Sequence, residues 1–350
     1  MKVLITGGAG FIGSHLAERL IEQGDHVIVL DDLSTGSMAN IDHLLERPGL
    51  RYRVGSALDE SLVRELVDRA DFTVHLAAAV GVRLVVDKPV HTIQTNVGAS
   101  EIVLEAASRK HKPVLIASTS EVYGKGTKVP FSEDDDLTLG ATTRSRWAYA
   151  CSKALDEWLA FAYYREKGVP IIIVRFFNTV GPRQTGRYGM VLPNFARQAL
   201  RGEPITVFGT GQQSRCFAHV RDVVEAVVRL LAAPSAVGEV FNIGSTQEVT
   251  ILELANRVRE AAGSNSAIVQ IPYDQAYAEG FEDMPRRIPD VRKLQSLTGY
   301  RPQTPLDQII ADVVADQRSR LLEQAQSQVP QKSPTPLVNG LVSPIGEGVV

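Results

Sequence analysis

Apolar residues in the first half of the chain fall into short unbroken runs, separated by stretches in which they recur every three or four positions. The runs predict strands over 3–6, 25–30, 51–54, 72–76, 114–118 and 170–175. The intervening periodicity predicts helices over 13–23, 61–70, 96–110 and 152–167. Strand alternating with helix implies parallel βαβ units. A run such as the IIIV of 171–174 has no polar face, so the sheet it enters is covered on both sides. The fold class expected is α/β, a doubly wound parallel Rossmann sheet with a smaller C-terminal domain. The second half is less regular, with turn-rich stretches over 181–189 and 207–213 and helical patterns over 193–201, 222–231 and 251–262. The division expected is a sheet domain over 1–176 with some later segments interleaved, a second domain mainly over 177–324, and a flexible tail over 325–350. The tail is rich in Gln, Ser, Pro and Gly and has no periodicity.

Bulk properties narrow the function classes. The chain has 350 residues and a formal net charge of -3, which gives no electrostatic reason to expect nucleic acid or an anionic membrane as partner. Its two cysteines, Cys151 and Cys216, have no metal-ligand spacing. They suit a reducing compartment better than a disulfide framework or a structural zinc. The opening residues lack the long apolar core of a signal peptide, and no stretch approaches the roughly 20 apolar residues that span a bilayer. A cytoplasmic location and no metal are expected.

The first strand runs directly into TGGAGFIG and a helix. Gly7, Gly10 and Gly13 allow a sharp turn, a close backbone approach to a pyrophosphate, and tight packing of helix on strand. With Phe11 and Ile12 they open a helix whose first N–H groups face outward to phosphate. Asp31 closes the second strand, where a carboxylate accepts from ribose hydroxyls and repels a 2′-phosphate, which favours NAD over NADP. A structural glycine turn with a solvent-facing aspartate is the plain alternative; the strand–turn–helix context favours the cofactor.

Tyr149 and Lys153 are four apart at the start of a predicted helix and so share a face. An ammonium near a phenol lowers its pKa and makes it a general base. Thr119 and Glu121 follow the strand over 114–118, at the carboxyl end where open α/β sheets bind ligands. Thr119 is placed to bond the same substrate hydroxyl as Tyr149. Other chemistry-bearing residues have plainer readings: His75 and His219 as core or supporting histidines, Trp147 and Trp158 as packing residues, 134–136 as a solvated acidic run, and Cys151 as a small buried residue.

Together these segments, with RFFNTVGPRQ over 175–184, VLPNFARQALRGEPITVFGTGQQSRCF over 191–217 and HVRDVVEA over 219–226, make the chain resemble the extended short-chain dehydrogenase/reductase family over about residues 1–315. The resemblance implies NAD held by Gly7, Gly10, Gly13 and Asp31, a catalytic trio of Thr119, Tyr149 and Lys153, and a sugar-nucleotide substrate, UDP-linked. It places Asn178 and Arg215 on the substrate's phosphates and Phe208 near its base. Where family members often have an aspartate for adenine after the third strand, this chain has Gly55-Ser56-Ala57.

The reaction expected is transient oxidation at sugar carbon 4. Thr119-Ser120-Glu121 lacks the acid that follows the threonine in 4,6-dehydratases, and Glu121 is a carboxylate that a simple 4-epimerase does not need. TSEVYG, and RRIPD over 286–290, resemble segments of UDP-glucuronate decarboxylases. The likeness makes Arg287 an active-site arginine, suited to a carboxylate fork, with a phosphate contact or a surface arginine as the alternatives. Those decarboxylases carry a Pro- and Tyr-rich loop where this chain has HLAAAVGVRLVVDKP; Arg83 in this loop is a further candidate for a carboxylate contact. Decarboxylation of UDP-glucuronate to a UDP-pentose is expected, with 4-epimerisation of a UDP-sugar or UDP-uronate as the alternative. A non-catalytic NAD-binding protein and a reductase of small carbonyls fit less of the sequence. The helix over 152–167 carries Leu155, Trp158, Leu159, Phe161 and Tyr163, more apolar surface than one stripe needs, and predicts a homodimer.

Overall fold

The computed structural model describes residues 1–81, 85, 87–186, 190–276 and 284–327. The chain opens with β1 (Lys2–Thr6), α1 (Phe11–Glu22), β2 (His26–Asp31), β3 (Leu50–Val54), α2 (Glu60–Arg69) and β4 (Phe72–His75). It continues with α3 (Pro89–Ser108), β5 (Val114–Thr119), α4 (Trp147–Lys167) and β6 (Ile171–Phe176). These strands and β11 (Glu239–Ile243) form a seven-stranded sheet in the order β11-β6-β5-β4-β1-β2-β3, with every pairing parallel. The chain runs outward from β1 through β2 to β3, then crosses back to β4 on the other side of β1. That reversal opens a crevice at the carboxyl ends of β1 and β4, where such sheets hold ligands.

The apolar pattern explains the layers. Ile171, Ile172, Ile173 and Val174 are all buried, so β6 is covered on both faces as its sequence implied. One layer packs Leu16, Ala17 and Leu20 of α1 and Val223, Val227 and Leu230 of α6 (Val220–Leu231) against the sheet. The opposite layer uses α2, α3 and α4, through Val63, Leu66, Val103, Leu104 and Ala160. Each valine or leucine among them, fully buried, contributes about 1.5–3 kcal/mol. Pro89 opens α3 at a position where its missing N–H costs nothing. Gly168, at φ +65°, ends α4 in the left-handed conformation.

A smaller core packs α5 (Val191–Arg201), α7 (Ile251–Ala262) and a last long helix, Leu306–Ser327, around Leu192, Phe195, Leu254, Ile309 and Val313. It carries β8 (Ile205–Phe208) paired with β13 (Ile268–Ile271), and a three-stranded sheet in the order β12 (Glu248–Thr250), β9 (Ser214–Cys216), β14 (Arg286–Arg287). Thr179–Val180 (β7) and Ala218–His219 (β10) link the two cores as a short parallel pair. Two helices among the departures from the sequence reading bear on the site. The helix Leu306–Ser327 was not expected: its stripe of Leu306, Ile309, Ile310, Val313 and Val314 is short and passes into a polar run. The α4 helix starts at Trp147, not 152, so Tyr149 lies inside its first turn.

Candidate active site

A cavity of about 1690 Å³ runs along the carboxyl edge of the large sheet and is closed from the other side by residues of the smaller core. Every residue expected from sequence to bind cofactor or substrate or to act in the reaction borders it except Arg83, which lies outside the described residues.

At one end is the glycine turn. Gly7 has φ +71°, and a Cβ there would sit 2.9 Å from the Ala77 backbone nitrogen. A Cβ on Gly13 would sit 2.3 Å from the Gly7 carbonyl oxygen, so only glycine lets α1 approach β1 this closely. Gly10 caps α1 without a side-chain hydrogen bond, leaving the first-turn N–H groups for an anion. Phe11 and Ile12 complete the turn and border the cavity. Asp31 is buried and accepts from the Ala9 N–H at 3.0 Å and the Leu33 N–H at 2.8 Å. Burial raises its carboxyl pKa and these backbone donors oppose the shift. A carboxylate has about four acceptor sites, so two bonds to backbone leave room for ribose hydroxyls. Gly55, Ser56 and Ala57 also line this end. The uncapped helix start, the glycine cradle and the buried carboxylate fit a dinucleotide with a free ribose 2′-hydroxyl.

Thr119, Glu121, Tyr149 and Lys153 meet farther along. Thr119 ends β5, and its hydroxyl accepts from the Glu121 N–H at 3.3 Å and bonds the Tyr149 phenol. Tyr149 is 9% exposed. Lys153, expected to lower the Tyr149 pKa, has a carboxylate partner of its own. The Lys153 ammonium donates to Asp156 Oδ2 at 2.6 Å, with both side chains buried. Burial pushes the Tyr149 phenol up, and the carboxylates of Glu121 and Asp156 add to the shift; the Thr119 bond and the Arg287 charge oppose it. A cation whose charge is matched by a carboxylate at contact has little left for a phenol one turn away.

Glu121 also differs from a free acid. Burial disfavours its charge, but Arg146 and Arg287 outweigh burial and hold the carboxyl at about 2. The Arg146 guanidinium bonds Glu121 directly, and Arg287 Nη1 lies 3.4 Å from Glu121 Oε1. Arg287 also donates to Asn178 Oδ1 at 2.7 Å. In the register of β9 and β14, Arg215 and Arg287 are direct partners, so two residues far apart in sequence are neighbours at the cavity wall. Arg215 donates to the Ser214 carbonyl at 2.8 Å. Phe208, the last residue of β8, lies at the far end with Tyr273, whose ring packs against Gly209.

Sequence reading missed Arg146 and Asp156. Both were open to helical spacing: Arg146 is three residues before Tyr149, and Asp156 three after Lys153. The plain readings of His75, His219 and Trp147 as buried residues agree with the structure. Those of Cys151 and Trp158 do not: Cys151 is exposed and Trp158 is 62% exposed. They share a face of α4 with Leu155, directed away from the sheet.

Comparison with known proteins agrees with this geometry. Residues 3–244 match the model of the NAD dependent epimerase/dehydratase family. The chain is 42% identical over 314 residues to UDP-N-acetyl-alpha-D-glucosaminuronate decarboxylase of Bacillus cytotoxicus, covering 89% of this chain and 96% of the relative. It is 34% identical over 340 residues to UDP-glucuronic acid decarboxylase 1 of Xenopus tropicalis, covering 97% and 77%. Among solved structures, UDP-glucuronic acid 4-epimerase from Bacillus cereus, in complex with UDP-glucuronic acid and NAD, superposes with a TM-score of 0.83 at 27% identity, covering 91% of this chain and all (100%) of the other.

Proposed function

Since the chain belongs to the NAD-dependent epimerase/dehydratase family, we propose that it decarboxylates a UDP-linked hexuronate, of the UDP-glucuronate type, through a transient ketone at sugar carbon 4. The observation that carries this reading is the placement of Arg287. Its guanidinium borders the same end of the cavity as the Thr119–Tyr149 pair, close enough for its charge to act on the phenol. A neutral hexose offers an arginine there no anion, whereas a uronate carboxylate matches its fork. The Bacillus and Xenopus relatives are decarboxylases of UDP-linked uronates, which supports the same class.

The roles follow from position. Gly7, Gly10, Phe11, Ile12, Gly13 and Asp31 hold NAD, with Tyr149 and Lys153 at its reactive end. When bound, NAD would supply a hydride acceptor and donor for carbon 4. Tyr149 takes the proton of the carbon-4 hydroxyl, and Thr119 orients that hydroxyl. A ketone at carbon 4 makes the substrate a β-keto acid, so the bond from carbon 5 to the carboxylate breaks, carbon dioxide leaves, and the electron pair becomes an enolate that takes a proton at carbon 5 before carbon 4 is reduced again. Thr119 and Tyr149 are the donors placed to stabilise that oxygen. Glu121, ionised between Arg146 and Arg287, serves to orient Arg287. Asn178 and Arg215 contact the diphosphate, and Phe208 contacts the base.

We propose two further features. Val90 and Ile93 of α3 and Leu155 and Trp158 of α4 are exposed on two helices that pack together; two copies pairing through these helices would cover them, so the chain is read as a homodimer. Among the described residues no helix is long and apolar enough to cross a membrane, and both cysteines are free; the cytoplasm is the compartment proposed.

The test supplies the protein and NAD with UDP-glucuronate or UDP-N-acetylglucosaminuronate, and follows product by NMR and carbon dioxide by trapping. Carbon dioxide with a decarboxylated UDP-sugar is expected from one of the two. Clean conversion to the 4-epimeric uronate without gas would replace decarboxylation by epimerisation.

A further inference from the structure

The Lys153–Asp156 pair is not accounted for by stability. Both side chains are almost completely buried, at 3% and 0% exposure, and the Nζ–Oδ2 distance is 2.6 Å. Taking two charges out of water costs more than a well-packed apolar pair would, so a buried ion pair is weak evidence of a stabilising role. The pair lies against the catalytic tyrosine. Lys153 and Tyr149 border the cavity, while Asp156 sits one turn behind them, outside it. Ser100 of α3 lies near Asp156 and favours its charged form, and α3 packs along α4, so the carboxylate faces both helices.

We propose that Asp156 is a positioning residue of this centre: its carboxylate fixes where the Lys153 ammonium sits and how much of its charge reaches Tyr149. The inference rests on Tyr149 as the base and is independent of which sugar is bound. Asp156 draws the ammonium along α4 and at the same time adds an anion behind the phenol. Both effects keep the proton on Tyr149 until another positive charge enters the cavity. Tyr149 would give up its proton when oxidised NAD, whose ring is positive, is bound beside it.

The other groups around this cluster do not substitute for Asp156. Glu157, next on α4, is committed to Arg175 at 2.7 Å and to Ser118. His75 of β4 is kept neutral by burial, its pKa lowered to about 3 with the Lys153 charge adding to the shift, and its Nδ1 lies 2.7 Å from the Thr6 hydroxyl. From the cavity side, Glu121 is clamped by Arg146 and Arg287.

The experiment titrates Tyr149 without turnover. The phenolate absorbance of the NAD-loaded protein is followed against pH, and the same titration of Tyr149→Phe is subtracted. Asp156→Asn, which keeps size and removes charge, is expected to move the Tyr149 midpoint to lower pH by about one unit or more. Asp156→Glu, which keeps the charge, is expected to restore most of the original midpoint. Asp156→Ser carries the same expectation as the asparagine if that variant does not fold. A midpoint that stays in place in a folded, NAD-binding variant overturns the proposal and leaves the pair a structural one. Because no sugar nucleotide is used, the outcome is separable from the fate of the decarboxylase reading.

Discussion

At the scale of single residues, the centre is governed by which charges are buried together. Glu121 shows this most clearly. Its carboxyl sits at about 2, below its ordinary 4.5, because two guanidinium groups overcome the penalty of burial. A carboxyl lowered in the folded state stabilises the fold at pH values above the unfolded pKa, and that contribution is lost as pH falls through the folded one. The unfolding free energy of the parent is therefore expected to fall more steeply between about pH 5 and about pH 2 than that of Glu121→Gln, by up to about one proton in the slope. Urea unfolding at a series of pH values measures this. Parallel slopes would mean that Glu121 is not ionised between its two arginines. Tyr149 shifts the other way, since burial and two carboxylates hold its proton. The Y-x-x-x-K spacing was readable, but the lysine's partner was not, because spacing says which residues share a face and not which of them claims the charge.

At the scale of elements, α4 does two jobs. Its inner face carries Tyr149, Ser152, Lys153 and Asp156 toward the sheet and cavity, and its outer face leaves Leu155 and Trp158 uncovered. Of the surplus apolar residues that suggested a partner, Leu159, Phe161 and Tyr163 turn out to pack against the sheet's own core. The outer pair, with Val90 and Ile93 of α3, is what remains for a second copy. Trp158→Asp is expected to turn a dimer into a monomer in sedimentation or light scattering, because burying an unpaired carboxylate at such a contact costs several kcal/mol. Reaction of a thiol reagent with Cys151, on the same face, is expected to be faster in that variant. A parent protein that is already monomeric would remove the dimer from the reading.

At the scale of the whole molecule, the cavity exists because two cores face each other across the carboxyl edge of one sheet. The large sheet contributes the glycine turn and the residues proposed as catalytic; β8, β9 and β14 of the smaller core contribute Phe208, Arg215 and Arg287. A ligand spanning both stabilises the folded state by mass action, by about 2.7 kcal/mol at a hundred times its dissociation constant. NAD is expected to raise the melting temperature, and NADP to do so weakly or not at all, because the buried Asp31 carboxylate repels a 2′-phosphate. Equal shifts from both cofactors would remove Asp31 as the discriminating residue.

By itself the sequence determined whatever depends on near neighbours along the chain. That covers the alternation of strand and helix, the glycine turn that only residues without a Cβ can make, the acidic end of β2, and a tyrosine and lysine on one helical face. These follow from the fixed periods of helix and strand and the steric limits of the backbone. Tertiary structure decided the rest. It set Arg215 beside Arg287, gave Glu121 its two arginines, and left Trp158 in solvent. It also drew β11 from the second half of the chain into the first sheet and packed α6 against that sheet. Charge, burial and pairing depend on what lies opposite a side chain, and that is settled only when distant segments pack together.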